Sequence, residues 1–242
     1  MRGDPAGSLV GRVLPTSVQA TELVGAATLG GLYPQEEELV ARAVETRRRE
    51  FATGRRCARA ALGRLGYPPV PLLPGAGGAP VWPAGVRGSL THCPGYAAAA
   101  VGSAGSITAI GIDAEPDEAL PDGVLDLVAT AAERAWLAGP GAPEGADAGP
   151  HWDRLLFSAK ESAYKAWFPV VGEWIEPQQT EIRFGPGDGT FTVHLGRGGL
   201  NDDGRPVTRL PGRWASGAGL LLTAVVLPRA GSDVGDSLEP DD

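Results

Sequence analysis

Ile107-Thr108-Ala109-Ile110-Gly111-Ile112-Asp113-Ala114-Glu115 is an apolar run that closes on two acidic residues. The run predicts a buried strand over 107–113. Side chains at positions i and i+2 of a strand point to the same face, so Asp113 and Glu115 could converge on one cation. Carboxylate oxygens are the ligands that Mg²⁺ prefers. Taken alone, this spacing favours a solvated strand end, with Pro116 turning the chain.

The segments on either side of this strand show helical and extended patterns. Pro34 before a run of acids is typical of a helix start. We expect Gly54 to interrupt that helix and Thr53 to cap a second one that runs to about Leu65. We expect an irregular N-terminus, a proline- and glycine-rich loop over 68–88 and a second loop over 139–150. Helices are expected over 122–138 and over 151–167, where Pro169 stops the second one. Extended segments are expected as a strand over 96–101, a hairpin of 181–184 with 190–195, and a strand over 219–227. This order predicts an α+β fold of two halves, with a boundary near 102–106.

Composition limits the class of protein. Hydrophobic residues make up 43% of the 242 residues, which excludes a disordered chain. No apolar run is long enough to span a bilayer, and the N-terminus lacks a signal-peptide core, so we expect a cytoplasmic protein. Cys57 and Cys93 are then expected to be reduced. The net charge of −8 argues against nucleic acid as a bulk partner.

Basic residues are unevenly placed along the chain. Eight arginines and only two acids lie between Arg42 and Arg64. An anionic ligand or an acidic partner protein could dock on this patch, although part of the run is expected to be a solvated helix face. The 21 basic residues include only two lysines, Lys160 and Lys165. Lysine kept in one segment of an arginine-rich chain indicates a position where a compact ammonium is needed.

Two further segments carry polar groups in an unusual setting. On a helix, Glu161 and Lys165 are four residues apart and share a face. A surface ion pair would explain them, but the neighbouring aromatic residues predict partial burial, where a charge needs a reason to be present. The segment 88–93 has two hydroxyls and His92, which could donate to phosphate oxygens. His151 and His194 are expected to be structural.

Four motifs in this order resemble the 4′-phosphopantetheinyl transferases: R-R-R-E-F with C-A-R (47–59), W-P-A-G-x-x-G-S-L-T-H-C (82–93), G-I-D-A-E (111–115) and F-S-A-K-E-S-x-Y-K-A-W (157–167). The likeness is greatest to the monomeric branch that activates carrier proteins of siderophore, nonribosomal-peptide and polyketide assembly lines. The resemblance implies two similar α+β halves in a pseudo-two-fold arrangement, with the active site between them. The units would be 1–104 with the nucleotide-binding arginines, 105–229 with the metal-binding acids, and a disordered acidic tail over 230–242.

The same resemblance implies an activity and a set of site residues. The reaction is transfer of the phosphopantetheine arm of coenzyme A (CoA) to a serine of an apo acyl or peptidyl carrier protein, which leaves 3′,5′-ADP. Asp113, Glu115 and Glu161 would bind Mg²⁺. The residues that would bind CoA are Arg47, Arg55, Ser89, His92, Lys160 and Lys165, with Arg48 and Arg56 as neighbours that could substitute. Asp113, Glu161 and Lys165 would carry the chemistry, and Glu161 or a metal-activated water would accept the serine proton.

The chain departs from the family at one loop. The segment 73–78 has no basic residue where the family often has one, which affects the expected strength of nucleotide binding but not the chemistry. Two alternatives use the same residues: a Mg²⁺-dependent phosphohydrolase that acts on nucleotides or CoA, and a non-catalytic CoA-binding module. The first would consume CoA without a carrier protein, and the second would bind CoA without transfer.

Overall fold

The computed structural model describes residues 8–25, 29–139, 149–185, 187–200 and 206–229. These residues form two antiparallel sheets and five α-helices. The strands are β1 (Gln19–Val24), β2 (Val86–Cys93), β3 (Tyr96–Ser103), β4 (Ile107–Pro116), β5 (Thr180–Phe184), β6 (Thr190–Leu200), β7 (Pro206–Gly217) and β8 (Leu220–Pro228). The helices are α1 (Pro34–Val40), α2 (Glu45–Arg64), α3 (Val124–Val128), α4 (Ala131–Leu137) and α5 (Trp152–Val171).

The two sheets pack on each other and each carries one long helix. The first sheet has the strand order β1-β3-β2, and the second has the order β4-β8-β7-β6-β5. Alternation along β3 builds the layers, because Ala97 and Ala99 pack in the core under α2 while Ala98 and Ala100 pack towards β4 and β8. On the far side, α5 packs on the second sheet. The α+β class is therefore confirmed, and the chain changes sheets at the turn between β3 and β4.

Gly111 brings α5 directly against β4. A Cβ atom at this position would lie 1.9 Å from the carbonyl oxygen of Ser162 and 2.5 Å from the amide nitrogen of Ala166. No side chain larger than hydrogen fits at that approach. Because Gly111 is two residues from Asp113 on the same face of β4, this close packing fixes the distance between Asp113 and the polar face of α5.

Two hydroxyl groups join β2 to the free edge of β4. The backbone N–H of Ile112 donates to Oγ of Ser89 at 3.0 Å, and that of Ala114 donates to Oγ1 of Thr91 at 2.9 Å. A buried backbone N–H without an acceptor costs free energy, and β4 has its only sheet partner, within the described residues, on its other side. Ser89 and Thr91 thus close the seam between the two sheets.

Several helix boundaries differ from the sequence prediction. The interruption at Gly54 is wrong, because α2 is continuous and the hydroxyl of Thr53 donates to the carbonyl of Arg49 within it. A single internal glycine costs only about 1 kcal/mol relative to alanine, which the buried face of α2 offsets. The helix over 122–138 is two helices, and Thr130 caps the second in a capping box with Glu133. Pro169 does not stop α5, which continues to Val171 and ends at Gly172 with a φ of 73°.

The strand predictions are confirmed where the pattern was strong. The expected strands at 96–101, 107–113 and 219–227 and the hairpin of β5 with β6 are present. β1 lies in the stretch expected to be irregular. β2 begins inside the expected loop over 68–88 and continues through 89–93, for which no element was predicted, and β7 was not predicted. Cys57 and Cys93 are free and buried. The tail over 230–242 and most of the loop over 139–150 lie outside the described residues. No helix in the described part of the chain is long and apolar enough to cross a membrane.

Candidate active site

Asp113 and Lys165 form the centre of the candidate site. Oδ1 of Asp113 lies 2.6 Å from Nζ of Lys165. The Asp113 side chain is 5% exposed and that of Lys165 is 29% exposed. The ammonium group has three N–H donors, and within the described residues Asp113 is its one recorded acceptor. Lys165 therefore keeps donors for a ligand that arrives from solvent.

The seam holds Asp113 in place and leaves one of its oxygens without a partner. The hydroxyl of Thr91, which accepts from Ala114, also donates to Oδ1 of Asp113 at 3.3 Å. Oδ2 of Asp113 is buried and has no hydrogen-bond partner among the described residues. A buried carboxylate oxygen without a donor is costly, so this atom indicates a ligand site.

Glu115 lies on the same strand and is held by an arginine. Nη1 of Arg154 donates to Oε2 of Glu115 at 3.0 Å, and the same guanidinium donates to the carbonyls of Glu118 and Ala119. Burial raises the pKa of Glu115 above its usual range and the charge of Asp113 raises it further, while Arg154 opposes both. Arg154 thus orients Glu115 and offsets part of the negative charge at the end of β4.

Glu161 approaches the same acid from α5. Burial raises the pKa of Glu161, the Lys165 ammonium opposes this shift, and the charge of Asp113 adds to it. Glu161 also lines a cavity whose other wall is the segment that follows α5, with Tyr164, Trp167, Trp174 and Pro177 among its lining residues. Glu161 therefore interacts with the charges of Asp113 and Lys165 and also lines a cavity that has four aromatic side chains in its wall.

The carboxylates suit a hard cation in their chemistry. Oδ2 of Asp113 has no partner among the described residues, and the pKa values of Glu115 and Glu161 are raised mainly by burial, with a further rise from the charge of Asp113. Within the described residues, however, no three acidic, histidine or cysteine side chains stand in a ready arrangement for a metal ion. The predicted Mg²⁺ set of Asp113, Glu115 and Glu161 stays a prediction.

His92 and Arg47 meet at the start of α2. Nη1 of Arg47 lies 2.8 Å from Nε2 of His92, and Glu50 lies 3.6 Å from both side chains. Burial lowers the pKa of His92, Glu50 opposes the shift, and Arg47 and Lys165 add to it. A neutral imidazole can accept from Arg47 and so fixes the direction of the guanidinium.

Two other predicted CoA residues are largely buried. Ser89 is 4% exposed, and its oxygen already accepts from Ile112, so the seam accounts for it. Arg55 is 7% exposed, donates from Nε to the carbonyl of Leu72 and lies 4.0 Å over the ring of Phe51. Burial lowers the pKa of Arg55 to about 10. The structure does not bring Arg55 into contact with the pair of Asp113 and Lys165.

The ammonium of Lys160 is bonded to protein atoms, and its predicted contact with CoA stays a prediction. Its Nζ donates to the carbonyls of Pro177 and Thr180 at 2.7 Å and 2.8 Å and lies 2.9 Å from Oε2 of Glu133. These three acceptors use every donor of the ammonium. Five residues along a helix turn the side chain about 140° away, so Lys160 and Lys165 occupy different faces of α5.

Sequence reasoning missed several residues of the site. Thr91 and Arg154, which position Asp113 and Glu115, were not singled out. Ser89 and Thr91 are two residues apart and would share a face of a strand, but no local pattern marked β2 as a strand. Glu133, the partner of Lys160, stands in the readable capping-box pattern T-x-x-E. Trp174 carried no signal, because its segment has no regular period.

The comparisons with known proteins identify the family. Residues 35–102 match the family model of the 4′-phosphopantetheinyl transferase N-terminal domain, and residues 109–204 match that of the 4′-phosphopantetheinyl transferase superfamily. The two matches fall on either side of the turn between β3 and β4. The chain belongs to the 4′-phosphopantetheinyl transferase superfamily.

Three relatives extend this assignment over most of the chain. The chain is 51% identical to 4′-phosphopantetheinyl transferase Svp of Streptomyces mobaraensis, over 86% of this chain and 83% of that protein. It is 46% identical to 4′-phosphopantetheinyl transferase PptT of Mycobacterium tuberculosis, over 91% of this chain and 99% of that protein. It is 44% identical to 4′-phosphopantetheinyl transferase Npt of Nocardia iowensis, over 90% and 99%. The family resemblance is confirmed.

Proposed function

We propose that this protein transfers the 4′-phosphopantetheine group of CoA to a serine of an apo acyl or peptidyl carrier protein and releases 3′,5′-ADP, as a cytoplasmic monomer. The names of the three relatives support this activity. The observation that carries it is the pair of Asp113 and Lys165, which leaves one buried carboxylate oxygen without a partner and a lysine with free donors. An anion bound together with a metal ion would complement both groups, because the metal ion would bind the carboxylate oxygen and the anion would accept from the lysine.

The reaction needs positioned charge more than covalent help from the protein. The serine oxygen attacks the β-phosphorus of CoA, and the bond from that phosphorus to the bridging oxygen breaks. Lys165 donates to the phosphate oxygens that gain negative charge. Mg²⁺, held by Asp113, Glu115 and Glu161, would neutralise charge on the pyrophosphate. The serine proton passes to Glu161, whose pKa is raised by burial, or to a water beside it.

The remaining residues give the substrate its direction. Arg47 is half exposed beside His92, so we assign its free donors to the phosphates of the nucleotide, together with Arg55. His92 and Thr91 act as positioning residues for Arg47 and Asp113 respectively. The cavity beside Glu161 would take the pantetheine arm, because its aromatic walls suit an apolar chain with amide groups. The hydroxyl of Ser89 accepts from the backbone N–H of Ile112 and so stabilises the seam between the two sheets.

The test is a mass measurement on several apo carrier proteins. Purified protein, CoA and Mg²⁺ should add one phosphopantetheine group to each accepted carrier and release 3′,5′-ADP in equal amount. A carrier with its serine replaced by alanine is the control and should gain nothing. Release of 3′,5′-ADP without a carrier would indicate a phosphohydrolase, and CoA binding without any transfer would indicate a binding module. Either result contradicts the proposal.

A further inference from the structure

We propose that Lys160 is a positioning residue whose buried ammonium fixes the segment 174–180 as a wall of the cavity beside Glu161, and thereby sets the affinity for the pantetheine arm of CoA. The inference rests on the proposed function, since it takes that cavity as the seat of the arm. It assigns the ammonium of Lys160 to the protein wall of the cavity, whereas the resemblance implied that Lys160 binds CoA.

The argument begins with the two carbonyl groups that Lys160 binds. Pro177 and Thr180 stand at the two ends of a short helical turn that joins α5 to β5. Both residues line the cavity, and so do Trp174 and Glu176 just before them. One ammonium on α5 therefore holds both ends of the turn that faces Glu161 across the cavity.

Glu133 completes this arrangement from α4. Its Oε2 lies 2.9 Å from Lys160 Nζ and accepts from the N–H of Thr130, while its Oε1 accepts from the N–H of Ile182 at 2.7 Å. Glu133 and Lys160 are each 4% exposed in their side chains. The pair thus ties α4, α5 and the start of β5 together at one point, in a place that solvent does not reach.

The position of Lys160 on α5 gives it influence over the arm but not over the nucleotide. It is next to Glu161 in sequence, yet its ammonium bonds only to the segment after α5, through Pro177 and Thr180, and to Glu133 of α4. Arg47 and His92, which we assign to the nucleotide end, lie on α2 and β2. Loss of the ammonium should therefore change the wall that faces the arm and leave the nucleotide contacts as they are.

The experiment compares two ligands that differ by the arm. Binding of CoA and of 3′,5′-ADP is measured by calorimetry for the wild type and for Lys160→Met. We expect CoA affinity to fall by about 10- to 100-fold, as small displacements of a positioned group do, and 3′,5′-ADP affinity to stay unchanged. The matched control is Arg183→Met, which removes a cation on β5 whose side chain is 65% exposed, and which should alter neither affinity.

A second variant protects the test against misfolding. Lys160→Met leaves Glu133 as an unpaired buried charge, whereas Lys160→Met combined with Glu133→Gln leaves no charge and keeps an acceptor for Ile182. The double variant should show the same selective loss of CoA affinity. Equal loss for both ligands, or no loss for CoA, would overturn the inference. Failure of the proposed function would appear separately, as a wild type that transfers nothing to any carrier.

Discussion

The two lysines of this chain lie five residues apart on α5 and have opposite surroundings. Lys160 is 4% exposed and its three donors are all bonded to protein atoms. Lys165 is 29% exposed and bonded to Asp113 alone among the described residues. A buried cation with every donor satisfied belongs to the framework, whereas a partly exposed cation with donors to spare belongs to the chemistry. Residue type and sequence position did not separate these two roles.

The largest expected effect on stability is at Lys160. Removing one partner of a buried ion pair costs about 3–5 kcal/mol because the other charge stays buried and unpaired. Lys160→Met should lower the free energy of unfolding by that amount in a denaturant titration. The double variant with Glu133→Gln should recover most of the loss, since it leaves no unpaired charge. The single variant Glu133→Gln completes the comparison, and a loss in the double variant equal to the sum of the two single losses would show that the pair is not coupled.

The largest expected effect on activity is at Lys165. Lys165→Met should reduce the transfer rate by about 10²- to 10³-fold, the usual cost of one lost donor to developing negative charge. Its loss of stability should be smaller than that of Lys160→Met because the side chain is partly exposed. Single-turnover transfer and thermal unfolding measure the two quantities on the same samples. If Lys165→Met keeps a transfer rate near that of the wild type, the contrast between the lysines is wrong.

A smaller effect is expected at the seam. Ser89→Ala removes the acceptor for the buried N–H of Ile112 and should cost about 1–3 kcal/mol of stability. Ser89→Thr keeps the hydroxyl and should cost less. Denaturant unfolding of both variants decides this, and a Ser89→Ala protein as stable as the wild type would mean that water replaces the hydroxyl. If Ser89→Ala loses CoA affinity without losing stability, the result would support the direct contact between Ser89 and CoA that the family resemblance implies.

Local patterns predicted the elements that have a strong period, and missed those that depend on partners. The apolar run of β4 and the acids at its end were readable, because strand alternation places Asp113 and Glu115 on one side. β1 and β2 were not readable, because they are stabilised by pairing with β3, which no local pattern shows. The break predicted at Gly54 failed because tertiary packing outweighs helix propensity.

The candidate site was predicted in its chemistry but not in its geometry. The motifs named Asp113, Glu161 and Lys165 through a family resemblance, and the structure places Lys165 on Asp113. Helix periodicity could have separated Lys160 from Lys165, since the two differ by more than a third of a turn. No sequence pattern could show that Thr91 and Arg154 orient the two carboxylates, because those contacts join distant segments.

The most direct test of the account is the Mg²⁺ dependence of transfer in the wild type and in Asp113→Asn. Transfer is measured as the mass gained by an apo carrier protein at saturating CoA. Asparagine keeps the shape of the side chain and its bond with Thr91 but removes the charge at the buried Oδ2. We predict that transfer requires Mg²⁺ and that Asp113→Asn needs a much higher Mg²⁺ concentration for a much lower rate. Transfer by Asp113→Asn at the wild-type rate and with the wild-type Mg²⁺ dependence would contradict the account.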